Sequence, residues 1–249
     1  MKPLLKIKHL KKVYHDLKGE VEAVKDFTLD IYENEFLVIV GPSGCGKSTI
    51  LSILAELESK SNGEIEVNKD NLVMGYMLQK DSLFPWLTIL DNCLIGLKTK
   101  KILTEENKKR VINLLDTYGL GEFKDKYPDS LSGGMRQRVA LIRTLAINPD
   151  VLLLDEPFSA LDYQTRLALS DDVYKIIKQE GKTVIMISHD IGESVSMADR
   201  IIVLTKRPCV VKTIYDISLT DKSTPIANRK SKEFPIYYDK IWRDLDVHI

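Results

Sequence analysis

The sequence predicts an α/β protein with a mainly parallel sheet, an antiparallel β-subdomain at its N-terminal end and an inserted α-helical subdomain. Three observations carry this. The apolar runs "FLVIV" (Phe36–Val40), "VLLLD" (Val151–Asp155), "TVIMIS" (Thr183–Ser188) and "RIIVLT" (Arg200–Thr205) are short and continuous. Continuous apolarity marks strands buried on both faces, as in parallel sheets. Helical periodicities separate most of these runs. The earlier stretches "LLKIKHL", "FTLDIY" and "GEIEV" alternate instead, as half-buried antiparallel strands do.

Along the chain, Asn62 and Gly63 mark the turn into "GEIEV". "FLVIV" runs directly into "GPSGCGKST" (Gly41–Thr49), and "TILSILAEL" then reads as a helix. The span from about Asp81 to Pro149 is helical in pattern. Val111, Leu114, Leu115 and Tyr118 make one apolar face, and Met135, Val139, Ile142 and Ala146 another. Pro128 and "DSLSGG" break the two apart. Beyond Arg207 the pattern weakens: "KSTPIANRKSK" reads as an exposed loop and "YYDKIWRDL" as a closing helix with Ile241 and Leu245 on one side. With no internal repeat, residues 1–249 read as one domain. Its core and β-subdomain occupy 1–80 and 150–217, its helical subdomain 81–149, and a C-terminal extension 218–249.

Composition excludes several classes. Lys+Arg and Asp+Glu are both 36 in 249 residues, so no global basic field argues for nucleic acid. Cys45, Cys93 and Cys209 form no CxxC pair and no disulfide framework, which fits a reducing, cytosolic compartment. Lysines interrupt the apolar residues of "MKPLLKIKHLKKVY", so the stretch lacks a secretory core. No run approaches the ~18 apolar residues of a membrane span. Any span must come from another chain.

The chemistry begins at "GPSGCGKS", which fits G-x-x-x-x-G-K-S through Gly41, Gly46, Lys47 and Ser48. It sits between a buried strand and a helix, the context the motif requires. The expected core is therefore a P-loop NTPase, of RecA-like type. Backbone N–H groups from Gly41 through Pro42, Ser43, Gly44, Cys45, Gly46 and Lys47 to Thr49, proline excepted, can wrap phosphate oxygens at a helix N-terminus. Lys47 adds a full charge, and the Ser48 hydroxyl suits Mg²⁺. Asp155 ends the strand "VLLLD", where ligands of open parallel sheets bind, and suits the same ion. Glu156 follows at once and points differently, as a general base for an attacking water would.

Together with "LSGGM" (Leu131–Met135), these motifs resemble the ATP-binding-cassette family of ATPases, and the resemblance runs from Leu5 to about Ile217. It implies a role for each remaining motif residue. Tyr14 stacks on adenine. Gln79 senses Mg²⁺ and the attacking water. "SALD" (Ser159–Asp162) crosses between subunits, with Asp162 near the nucleotide, and His189 contacts the γ-phosphate. Two such chains stack head to tail around two ATPs. Ser132, Gly133 and Gly134 then open a helix against the phosphate held by the other subunit. Ser132 suits this as an N-cap and the glycines as residues without a Cβ. Met135 replaces the glutamine usual in "LSGGQ".

"FPWLT", "LDN", "YPDSLSGGMRQRVALIRTLA", "DEPFSALD" and "VLTKRP" resemble the importer branch for nitrate, sulfonate, taurine, bicarbonate or thiamine-precursor pyrimidines. That implies a homodimer on the cytoplasmic face of a bacterial membrane. Its partners are permease subunits met near Phe84, Pro85 and Trp86 and an extracytoplasmic substrate-binding protein. A soluble cassette acting on DNA or ribosomes would need two cassettes or a coiled-coil insertion, and a P-loop kinase an acceptor-site insertion; the sequence has none of these. Glu56 stands where the family usually has glycine. Without that helix-ending residue, the helix after the phosphate loop is expected to run on.

Overall fold

A computed structural model of the protein describes residues 2–16, 19–159 and 161–245. In chain order the elements are β1 (Leu5–Asp16), β2 (Gly19–Ile31), β3 (Phe36–Val40), α1 (Lys47–Leu54), β4 (Asn62–Val67), β5 (Met74–Met77), α2 (Ile89–Thr99), α3 (Glu105–Thr117), α4 (Gly133–Ala146), β6 (Val151–Asp155), α5 (Tyr163–Gln179), β7 (Thr183–Ile187), α6 (Ile191–Met197), β8 (Arg200–Leu204), β9 (Cys209–Asp216), α7 (Pro225–Asn228) and α8 (Phe234–Asp244). The strands form one sheet in the order β4-β1-β2-β9-β8-β3-β7-β6-β5. From β8 to β5 every pairing is parallel. At the other end, β1 lies antiparallel between β2 and β4. Among the described residues no helix is long and apolar enough to cross a membrane.

Every residue of β3 and β7 is buried, because the sheet has a core on each face. Phe36, Val38, Leu152, Leu154 and Met186 join the core built with the helices α2 to α6. Leu37, Ile39, Leu153 and Ile185 join α1 and the β-subdomain. A one-residue slip would exchange the two sets, so both cores fix the register. Between β5 and β6 lie α2, α3 and α4, each opened by a hydroxyl cap: Thr88, Thr104 and Ser132 accept from the N–H groups of Asp91, Asn107 and Met135. Val111, Leu114 and Leu115, and Val139, Ile142 and Ala146, are buried as their spacing predicts. Cys45, Cys93 and Cys209 are buried, unbridged thiols.

Four local expectations are corrected. Asn62 and Gly63 open β4 itself. Gly63 has φ 95°, and a Cβ there would lie 2.4 Å from the His9 carbonyl oxygen, where the β1–β4 ladder shifts register. Chain beyond Arg207 forms β9, antiparallel to β8 and parallel to β2; it is half-buried, so its apolar signal is weak. "KSTPIANRKSK" is no exposed loop. Its α7 is capped by Thr224, and buried Asn228 donates to Ser196 O (2.7 Å) and accepts from Ser223 N–H (2.8 Å). Polar docking of this kind leaves no hydrophobic period.

The fourth correction is Glu56. Instead of running on, α1 stops at Leu54. Glu56 takes φ 58°, its N–H donates to Ile53 O (3.1 Å), and Leu57 N–H donates to Ser52 O (2.9 Å). These bonds close a Schellman motif whose left-handed position favours glycine. The backbone bonds that end the helix do not depend on the side chain, so Glu56 accepts the strain. Glu56→Gly is expected to raise stability by about 1 kcal/mol, a Tm gain of roughly 2–4 °C for a chain of this size. An unchanged or lower Tm would contradict the strain.

Glu193 on α6 is 4% exposed. The Ser188 hydroxyl donates to one carboxylate oxygen, and the other has no partner among the described residues. Burial above all, with Asp190 adding, pushes its pKa from 4.5 to about 7 against the pull of Ser188, Arg166 and Arg229. Between those pH values the folded chain holds a proton that the unfolded chain has released. Stability therefore falls as pH rises through this window and stays lower above it. Glu193→Gln is expected to raise Tm at pH 8.5 and to lose that advantage by pH 5; an equal gain at both pH values would count against the titration.

Candidate active site

The phosphate loop lies between β3 and α1, at the carboxyl end of the parallel sheet. Gly46 has φ 127°, and a Cβ there would lie 2.9 Å from Ala23 O and 3.1 Å from Cys209 Sγ. Its bare backbone thus lets the loop press onto β2 and the start of β9. Cys45 is buried beneath the loop, where burial pushes its thiol up. Lys47 is 6% exposed, and its Nζ donates to Gly41 O (2.8 Å) and Pro42 O (3.1 Å). This holds the ammonium over the loop. Ser43, Gly44, Gly46, Lys47, Ser48 and Thr49 share a cleft of about 280 Å³ with Tyr14, Val21, Ala23, Glu156 and Arg207.

Ser48 Oγ donates to Asp155 Oδ1 and Tyr76 OH to Asp155 Oδ2, each at 3.1 Å. Burial, more than these bonds offset, raises the Asp155 pKa. Burial and the Asp155 charge push the Tyr76 phenol to about 12, so Tyr76 remains a donor at neutral pH. Among the described residues no three His, Cys, Asp or Glu side chains gather around a metal position. One hydroxyl and one carboxylate beside a phosphate cradle instead suit Mg²⁺, which keeps few protein oxygens and shares the substrate's.

Glu156 sits at φ 47°, and its N–H donates to Ile187 O (3.1 Å). This left-handed turn costs roughly 1–3 kcal/mol and directs its carboxylate away from that of Asp155. The Glu156 carboxylate meets His189 Nδ1 at 3.3 Å and Gln79 Nε2 at 3.1 Å. Gln79 Nε2 also donates to Ser159 Oγ (3.1 Å). Residues following β5, β6 and β7 thus converge on one point. With Nδ1 at Glu156, His189 has Nε2 left to face a ligand.

Tyr14, 37% exposed, donates to Thr49 Oγ1 at 3.4 Å. Buried Lys12 lies 4.7 Å from its ring centroid and is held by Glu58 at 2.7 Å. Ser132 caps α4, accepting from Met135 N–H at 3.3 Å. A Cβ on Gly133 would lie 3.3 Å from Leu161, and one on Gly134 3.5 Å from Thr165. Asp162 caps α5 through Thr165 N–H (3.0 Å). The "LSGGM" opening and the 159–162 loop therefore adjoin one another; Ala160 lies outside the described residues. Ser132, Gly133, Gly134 and Asp162 are not among the described residues lining the phosphate-loop cleft.

Before α2, the Phe84 and Trp86 rings pack 5.4 Å apart, with Trp86 70% exposed. Buried Asn92 braces this loop, accepting from Phe84 N–H (2.8 Å) and donating to the Phe84, Leu87 and Thr88 carbonyls. Sequence reasoning missed Tyr76, Lys12, Asn92's bracing and Arg207. Tyr76 sat unremarked within "VMGYML"; Asn92 and Arg207 stood in "LDN" and "VLTKRP" with no role of their own, and Lys12 had no motif.

Comparison with known proteins gives the geometry its context. The ABC transporter family model matches residues 24–159. An uncharacterized ABC transporter ATP-binding protein of Bacillus subtilis (strain 168) is 43% identical, over 97% of this chain and 95% of its own length. A taurine import ATP-binding protein of Jannaschia sp. (strain CCS1) is 39% identical, over 87% and 83%. A nitrate import ATP-binding protein of Synechocystis sp. (strain ATCC 27184) is 39% identical, over 95% and 93%. Among solved structures, a dimeric ATP-binding cassette in a post-hydrolysis state with ADP and Pi superposes with a TM-score of 0.73 at 32% identity, covering 86% of this chain and 99% of that one. The chain, matched by the family model over more than half its length and by these relatives over most of it, belongs to the ABC transporter family as an ATP-binding, ATP-hydrolysing protein.

Proposed function

We propose that the chain is the ATPase subunit of an importer that energises uptake of a small solute through separate membrane subunits. Its relatives are named for taurine and nitrate import; sulfonate, bicarbonate and pyrimidine-like compounds are further solute classes in keeping with the sequence resemblance. The observation that carries the importer reading is the Phe84–Pro85–Trp86 tip, where exposed Pro85 and Trp86 stand beside half-buried Phe84. A braced loop that presents a tryptophan to solvent, packed on a half-buried phenylalanine, suits a partner protein, here a permease subunit. The complex would lie at the cytoplasmic face of the membrane, with an extracytoplasmic substrate-binding protein on the other side.

In this reading ATP lies in the cleft with its base against Tyr14 and its phosphates on the loop from Gly41 to Thr49. Lys47 neutralises the β- and γ-phosphates. Ser48 and Asp155, together with Gln79, would hold Mg²⁺, which would supply positive charge to the phosphate oxygens. Glu156 takes the proton of a water aligned by Gln79, and His189 offers Nε2 to the γ-phosphate. Ser132, Gly133 and Gly134 complete the site of a second copy of the chain, with Asp162 at the crossing. Closure with ATP and release after hydrolysis then give the permease two states. The separation of Ser132–Gly134 from this chain's own cleft supports a head-to-tail homodimer, and both half-sites being present in one chain favours identical subunits.

Glu156→Gln is expected to keep ATP binding and to lower turnover by roughly 10²–10⁴-fold; near-normal hydrolysis would remove Glu156 as the base. Trp86→Ala is expected to leave the isolated protein's ATPase rate unchanged while abolishing its co-purification with permease subunits. Undiminished co-purification would place the permease contact elsewhere.

A further inference from the structure

We propose that Arg207 binds the nucleotide, closing over the purine base from the wall opposite Tyr14. The proposal rests on the reading of this cleft as the ATP site. Arg207 lines the same cleft as Tyr14. Its side chain is exposed, and its guanidinium has no hydrogen-bond or ion-pair partner among the described residues. An unengaged cation beside a nucleotide cleft is free to contact the ligand.

The sheet register places it. Tyr14 pairs with Val21 across β1 and β2. On the other side of β2, Val24 pairs with Cys209, and Arg207 stands two residues before Cys209. Tyr14 and Arg207 therefore flank the β2 segment whose Val21 and Ala23 line the cleft between them. Two strand spacings give roughly 10 Å from β1 to β9. A flat base in van der Waals contact on both faces needs about 7 Å between its walls, and the long arginine side chain can lean across the difference.

Chemistry favours the base over the phosphates. One face of Tyr14 already carries the Lys12 ammonium, 4.7 Å from the ring centroid. Lys12 is buried and absent from the cleft lining, so it backs the ring on the side away from the ligand. Tyr14 thus has one face left for a base, and the far side of that base needs another cover. A guanidinium is planar and stacks on aromatic faces, which an ammonium does not. The phosphates already have Lys47 and the loop N–H groups.

The test is equilibrium binding of ATP and of tripolyphosphate, which lacks base and sugar, to the full chain and to Arg207→Ala, Arg207→Lys and Lys47→Ala. Thermal melts check that each variant folds. Arg207→Ala is expected to weaken ATP binding about tenfold and to leave tripolyphosphate binding unchanged. Its KM for ATP should rise by a similar factor, with kcat within twofold of the parent. Arg207→Lys should recover less than half of the loss. Unchanged ATP affinity in Arg207→Ala would overturn the proposal, as would equal weakening of both ligands, which would make Arg207 a phosphate contact. Lys47→Ala is expected to weaken both ligands. Undiminished binding of both by Lys47→Ala would overturn the site reading itself, and Arg207's role with it.

Discussion

In-register parallel pairing of β3, β7 and β6 is the constraint on which the site depends. The phosphate loop leaves the end of β3, Asp155 ends β6 with Glu156 next to it, and His189 follows β7. Their side chains meet only because Phe36–Ile39 pair with Val184–Ile187, and Val151–Asp155 with Thr183–Ile187. Apolar residues on both faces of these strands enforce that pairing. A core of no catalytic chemistry therefore sets the distances between the proposed catalytic groups.

The site itself is built against local preference. Glu156 occupies a left-handed position that suits glycine, and Asp155 is a carboxylate whose pKa burial raises. Neither arrangement would last in an isolated loop. Here the Glu156 N–H is tied to β7, and Asp155 is bonded by Ser48 and Tyr76. Two neighbouring carboxylates thereby face different partners, one toward the Ser48 and Tyr76 hydroxyls, the other toward His189 and Gln79. Separate environments are what allow adjacent acids to do separate work.

The outer features follow a similar logic at lower cost. Asn92 bonds four backbone groups to hold the Phe84–Trp86 loop, so Trp86 stands in solvent without collapsing onto the core. Arg166 donates to Leu161 O at 3.0 Å and reaches Asp190 at 3.4 Å. It thereby links the loop beside the "LSGGM" helix opening with the loop that carries His189.

Much of this was legible in the sequence because it is local. Continuous apolar runs marked the parallel strands, the periodicities of Val111–Tyr118 and Met135–Ala146 marked α3 and α4, and G-x-x-x-x-G-K-S fixed a loop between strand and helix. What the sequence did not disclose depends on residues distant in the chain. Tyr76 meets Asp155 only through the β5–β6 register, and Arg207 reaches the Tyr14 cleft only because β9 inserts between β2 and β8. Helix α7 docks through the Asn228 amide, whose bonds have no period. Glu56 misled because residue type reports a preference, whereas the Schellman bonds around it are set by the backbone. The sequence by itself determined the buried parallel strands, the phosphate loop and the chemistry it could hold. The tertiary structure decided which polar side chains face one another, because those contacts are made by strand order and register rather than by neighbours in sequence.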